Sequence, residues 1–153
     1  MDSSGPEFIR SYLQGRQVVS IEQPLSILHL IDGHVVLIEN KHGVMVNGEV
    51  TRHLCDLLEQ RIVGDYSWVI NRKADYSIDL VETYGELNSR VRLKKIALVS
   101  YRKLTNTIAA IEQNLYQKEF SIFTDLEEAI AWAGRQGGDP ISFRSSSLPP
   151  EKC

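Results

Sequence analysis

Residues 95–133 read KIALVSYRKLTNTIAAIEQNLYQKEFSIFTDLEEAIAWA, a strand–helix–strand–helix pattern that decides the fold. Ile96-Ala97-Leu98-Val99 is a continuous apolar run, as a strand buried on both faces requires. Leu104, Ile108, Ile111 and Leu115 then recur at helical spacing. Phe120–Phe123 is a second short strand. Thr124-Asp125-Leu126-Glu127 has the form of a capping box, with the Thr124 hydroxyl accepting from the Glu127 N–H. Leu126, Ala129, Ile130 and Ala133 form the apolar stripe of the last helix. Together these imply an α/β domain with a partly parallel sheet.

The pattern extends upstream. Ser26–Ile31 and His34–Glu39 flank Asp32-Gly33, a dipeptide suited to the positive φ angles of a hairpin turn. A short extended piece follows at Gly43–Val46. Asn47 is an N-cap candidate, and Val50, Leu54, Leu57, Leu58 and Ile62 give one apolar helical face. Tyr66–Ile70 reads as the next strand. Ile78, Val81, Tyr84 and Leu87 mark a further helix. Right-handed crossovers make the later strands parallel. The expected architecture is a single domain with a mixed sheet of four to five strands, antiparallel at its N-terminal hairpin, and about four helices. Those helices are expected to begin near Asn47, Ser77, Leu104 and Thr124. The expected core is Val36, Leu54, Leu58, Val69, Leu87, Ile96, Leu98, Ile111, Ile122 and Ile130.

Three segments follow: residues 1–24 as a partly disordered arm, 25–136 as the domain, and 137–153 as a flexible tail. In the arm, Phe8, Ile9, Tyr12 and Leu13 could form one face of a short helix. The tail is rich in Gly, Ser and Pro and has little to bury.

Composition excludes several classes. The chain has 153 residues and a formal net charge of −3, with no general attraction to nucleic acid or anionic lipid. The cluster Arg90, Arg92, Lys94 and Lys95 is local, and reads first as a solvated helix end with cations suited to the dipole. No apolar run is long enough to span a bilayer, and Met1–Pro6 is unlike a secretory signal. Cys55 and Cys153 form neither a disulfide framework nor a metal spacing, so a reducing cytoplasm is expected.

An antiparallel hairpin followed by three helix–strand crossovers and a last helix resembles the STAS domain, and more narrowly the SpoIIAA-like, or STAS/SEC14-type, small bacterial proteins. The resemblance is carried by His34–Ile38 followed by Asn47–Thr51, by Asp65–Arg72 with Asp75–Asp79, and by Lys95–Val99 with Phe123–Trp132. It implies a binding and regulatory module that is not an enzyme. Relatives that act as anti-sigma-factor antagonists switch through a serine in Asp-Ser-Ser/Thr-Gly at the helix start after the central strand. The matching region here reads Asp75-Tyr76-Ser77-Ile78-Asp79-Leu80-Val81-Glu82, with one serine, no Ser-Gly, and carboxylates that would repel a phosphate. The literal Asp2-Ser3-Ser4-Gly5 lies outside any strand–helix context. The expectation is therefore a cytoplasmic interaction module without the phosphoserine switch.

The loop Asn71–Glu82 is the expected contact surface. Tyr76 would supply contact area and Ser77 a hydroxyl. Asp75 and Asp79 would select a basic or donor-rich partner, and Glu82 lies beside them. The plainer reading of Asp79 and Glu82 is helix capping. A second copy of the chain is a candidate partner, and an apolar small ligand is suggested by the SEC14 side of the resemblance. A third alternative is an enzyme using Asp75 and Asp79. No nucleophile elbow, dinucleotide fingerprint or P-loop is present. A two-residue turn at Asp32-Gly33 would set His29 and His34 as diagonal neighbours on one face. They, His42 and His53 are read as surface or edge histidines, with no metal or other cofactor expected.

Overall fold

A computed structural model describes residues 15–135. The elements run β1 (Val18–Glu22), β2 (Ser26–Ile31), β3 (Val35–Asn40), β4 (Met45–Val46), α1 (Gly48–Glu59), β5 (Tyr66–Arg72), β6 (Ser77–Ile78), α2 (Leu80–Asn88), β7 (Leu93–Ser100), α3 (Lys103–Leu115), β8 (Glu119–Phe123) and α4 (Leu126–Gly134). The short helix expected over Phe8–Leu13, and the tail with Cys153, lie outside the described residues.

The main sheet has six strands in the order β1-β2-β3-β5-β7-β8. β1, β2 and β3 pair antiparallel, and β3, β5, β7 and β8 pair parallel, so the sheet is mixed as expected. Two strands exceed the sequence expectation. β1 falls in the stretch read as an arm, where Pro24 and polar neighbours hide a five-residue strand. β6 is the second, and it pairs with β4, within the extended piece expected at Gly43–Val46, as a separate two-stranded parallel ribbon.

One face of the sheet packs under α1, α2 and α3. Leu28, Val36, Ile38, Trp68, Ile96 and Leu98 meet Leu54, Leu58, Tyr84 and Leu87 there. The other face holds Ile31, Leu37, Val69, Ala97 and Val99 against Leu126, Ala129, Ile130 and Ala133 of α4. Each fully buried Leu or Ile in these layers contributes on the order of 2 kcal/mol. Eight of the ten expected core residues are buried, and Ile122 is half-buried.

Ile111 is the departure: it is 48% exposed, while its neighbour Glu112 is 0% exposed. The helix is rotated so that Ala109, Glu112 and Tyr116 face inward.

The hairpin also differs by one residue. Asp32 and Gly33 take φ of 51° and 78°, and His34 N donates to Ile31 O at 3.2 Å. Pairing nonetheless closes at Ile31–Val35, leaving a three-residue loop. A one-residue slip reverses which face each side chain meets. His29 therefore opposes Leu37, and the diagonal His29–His34 pair does not form. A Cβ at Gly33 would meet nothing within 4 Å, so Gly33→Ala is a purely conformational test. It is expected to cost about 1 kcal/mol in urea denaturation.

Helix starts follow local capping chemistry. Asn47 caps α1, accepting from Val50 N at 2.9 Å. The helix expected near Ser77 begins at Leu80 instead, because Ser77-Ile78 is spent on the ribbon and Asp79 is the cap. At α4 the cap is Asp125, accepting from Glu128 N at 3.3 Å, in place of Thr124. A carboxylate one residue later supplies the acceptor and the charge that the helix N-terminus favours.

Candidate functional site

The surface expected over Asn71–Glu82 sits at the carboxyl ends of the parallel strands, where open α/β sheets place their sites. β5 ends in Arg72, and the chain then turns toward β4. Gly43 N donates to Asp75 O (2.8 Å), Ser77 N to Val44 O (2.9 Å) and Asp79 N to Val46 O (2.8 Å). The loop is thus laced to the 43–46 segment along its length.

Below it lies a buried polar network. The Arg72 guanidinium donates to both oxygens of Glu112, Nη1 to Oε2 at 2.5 Å and Nη2 to Oε1 at 3.2 Å. Its Nε donates to the Tyr76 hydroxyl at 2.8 Å. The Tyr84 hydroxyl donates to Glu112 Oε1. Arg72 also stacks on the Tyr76 ring, with Cζ 5.3 Å from the centroid. Burial disfavours the charged guanidinium, yet Tyr76 and Glu112 beside it hold its pKa above the ordinary value. Burial and then Glu112 push the Tyr84 hydroxyl well above its usual range. Tyr84 therefore remains a neutral donor.

Each expected site residue has a defined place. Tyr76 is half-buried on Arg72; Asp75, Ser77, Asp79 and Glu82 are exposed. Asp75 pairs with Arg102 at 2.6 Å. Asp79 accepts from Glu82 N at 3.0 Å, which is the capping role. Glu82 reaches across to Gly48 N, 3.2 Å away, and so caps α1 from a neighbouring helix. That approach relies on glycine, since a Cβ at Gly48 would lie 3.2 Å from Glu82 Cβ. Asp79→Ala should cost about 1 kcal/mol in thermal or urea unfolding, the ordinary value for a lost N-cap. Around this frame a cleft of about 220 Å³ opens between Arg72, Asp75, Tyr76, Ile78, Arg102 and Ile108. Two apolar side chains stand outside it in solvent: Met45, 52% exposed, and Val81, 76% exposed. Met45 is registered beside Ser77 in the ribbon.

Nearby, Asn71 Nδ2 donates to Glu39 at 2.8 Å, and the Tyr101 hydroxyl donates to Asn71 at 2.6 Å. Burial raises the Glu39 pKa, an effect the Asn71 hydrogen bond offsets in part.

The histidines are dispersed. His29 is buried, and its Nδ1 lies 2.7 Å from the Ser20 hydroxyl. His34 lies in the turn, with Nδ1 3.1 Å from Asp32 O. Among the described residues, no group of three or more His, Cys, Asp or Glu is placed to hold a metal ion.

Sequence reasoning missed Glu112 and Met45 as parts of this region, and the role of Arg72, which lies within the expected span. The available signal was Glu112 itself, a carboxylate inside an apolar helical pattern, with Arg72 as the charged end of an apolar strand.

No family model and no curated protein matches the chain. Among solved structures it is similar to the crystal structure of an uncharacterized DUF3478-family protein with a SpoIIAA-like fold from Shewanella loihica PV-4. The two are 16% identical, with 78% of this chain and 93% of that chain covered and a TM-score of 0.48. No helix among the described residues is long and apolar enough to cross a membrane.

Proposed function

We propose that this chain is a non-catalytic, STAS-like regulatory module of the cytoplasm that docks a protein partner through the β4–β6 ribbon and the start of α2. The observation that carries the reading is a pair of exposed apolar side chains at this edge, Met45 beside Ser77 in the ribbon and Val81 in the first turn of α2, on a hydrogen-bonded base. A rigid base lowers the ordering cost that binding would otherwise pay. Tyr76 adds an aromatic edge, and Asp79 and Glu82 rim the patch with negative charge that favours a basic partner, Asp75 being shared with Arg102.

The same carboxylates support a role other than acid–base chemistry. Asp75 is neutralised by Arg102, and Asp79 and Glu82 serve helix N-termini. Ser77 lies in a strand before the cap, and a phosphate there would face carboxylates instead of free helix N–H groups. Binding on this reading is constitutive. The apolar-carrier alternative gains no specific support, because Arg72, Asp75 and Arg102 line the cleft at this edge.

The test is retention of a partner from the native host by the full chain, compared with Met45→Asp and Val81→Asp. Each substitution should weaken binding by about 1–2 kcal/mol while the melting temperature holds, as expected for interface anchors. Ser77→Ala should do little. A partner held equally by both charged variants would refute this surface, and phosphate on Ser77 in cells would restore the switch.

A further inference from the structure

The opposite edge of the sheet carries a second feature. The amino ends of β5, β7 and β8 open into a cleft of about 550 Å³, whose walls include His34, Asp65, Lys94, Lys118, Glu119 and Arg135. The chain as a whole is acidic, so this gathering of cations runs against its average.

Part of the gathering serves chain ends. Lys95 Nζ donates to Trp132 O at 3.0 Å and Arg135 O at 2.9 Å, where α4 ends. Lys118 Nζ donates to Arg90 O at 2.7 Å and Leu93 O at 2.6 Å, in the turn between α2 and β7. Such pairing satisfies carbonyls that the helices leave open. Lys94 and Arg135 have no such duty. Among the described residues neither side chain makes a hydrogen bond or an ion pair. Lys118 retains a third ammonium proton beyond the two given to carbonyls. Burial lowers the Lys118 pKa and Lys94 lowers it further, with Asp65 opposing. Like charges have thus been brought together at a cost, and an anion would relieve it.

We propose that this cleft binds a small phosphorylated polyol, its phosphate held by Lys94, Lys118 and Arg135 and its hydroxyls donating to Asp65 and Glu119. Ammonium and guanidinium groups make strong charge-assisted bonds to phosphate. The two carboxylates weaken the hold on a purely anionic partner and reward a ligand that also carries O–H donors. The cleft volume is in the range of small-ligand sites. The site is independent of the docking surface, which lies at the other end of the strands.

The experiment is ¹H–¹⁵N NMR of the full chain titrated with glycerol 3-phosphate, with inorganic phosphate and glycerol as separate probes at matched ionic strength. Glycerol 3-phosphate should give saturable shifts at Asp65–Ser67, Lys94, Lys118, Glu119 and Arg135. Inorganic phosphate should shift the same residues more weakly, and glycerol none of them. The double variant Lys94→Glu/Arg135→Glu should lose at least roughly tenfold in affinity with an unchanged melting temperature. Asp65→Asn with Glu119→Gln should erase the preference for glycerol 3-phosphate over inorganic phosphate. Non-saturable shifts, shifts scattered over the surface, or undiminished binding by the charge-reversed variant would overturn the proposal. So would a short RNA that binds here with steep salt dependence when glycerol 3-phosphate does not.

Discussion

Glu112→Ala is expected to remove about 3–5 kcal/mol of stability, the cost of leaving a buried charge without its partner. The Glu112 side chain is fully buried and that of Arg72 is 9% exposed. The alanine variant would strand the guanidinium and leave the Tyr84 hydroxyl without its acceptor. Urea denaturation should show the midpoint falling with little change in slope if the fold stays intact. The double variant Arg72→Met/Glu112→Leu separates burial from pairing. Replacing both charges with apolar groups of similar size should cost less than Glu112→Ala, because a buried ion pair contributes little net stability over a packed hydrophobic pair, and the loss that remains is the Tyr84 hydroxyl without its acceptor. If Glu112→Ala costs under about 1 kcal/mol, the guanidinium reaches water in the variant and the network is not a structural anchor. The consequence reaches the surface. Arg72 holds Tyr76 through Nε, so a stranded Arg72 should loosen the loop at the carboxyl edge as well as the core.

The fold was legible because two periodicities do most of the work. Ile96–Val99 and Trp68–Ile70 are strands whose neighbours on both sides are apolar layers, and a run without alternation says so directly. Asn47 before Val50, Leu54 and Leu58 marks a helix start by its side-chain oxygen. Register was not legible to the residue. Asp32-Gly33 announces two positive φ angles but is silent on whether His34 joins the strand or the loop, and one residue decides which face His29 and Leu37 share. The rotation of α3 was ambiguous for the same kind of reason. Ile108, Ile111 and Leu115 make a plausible stripe, and so do Ala109, Glu112 and Tyr116. The second wins because Arg72 lies beneath it, forty residues earlier in the chain. Pairings that distant leave no trace in local spacing.

At the site, residue type was legible and employment was not. Asp79 and Glu82 could be read as capping groups, and both are, but Glu82 caps α1 and not its own helix. The ribbon that places Ser77 beside Met45 depends on two strands of two residues each, too short for any periodicity to register.

Tyr76 shows what that hidden pairing does to a forecast. Read from its loop position alone, Tyr76→Ala should weaken partner binding by about 1–2 kcal/mol and leave stability nearly unchanged. The structure revises the second half. The Tyr76 hydroxyl accepts from Arg72 Nε at 2.8 Å, and the ring lies against the guanidinium. A hydrogen bond to a charged group contributes about 1.5–3 kcal/mol, and a partly desolvated cation–π contact about 1. The two act on one guanidinium that also keeps Glu112, so they do not simply add. Tyr76→Ala is therefore expected to cost about 2–3 kcal/mol of stability, and Tyr76→Phe about 1–2, since the ring contact survives without the hydroxyl. Partner affinity must then be compared at a temperature where both variants are fully folded. Under those conditions Tyr76→Phe should bind nearly as well as the native chain, while Tyr76→Ala loses the aromatic contact. A loss below about 0.5 kcal/mol in Tyr76→Ala stability would mean that water replaces the phenol at Arg72 without penalty. In that case Tyr76 belongs to the surface alone, and the loop is anchored by its backbone ladder to residues 43–46.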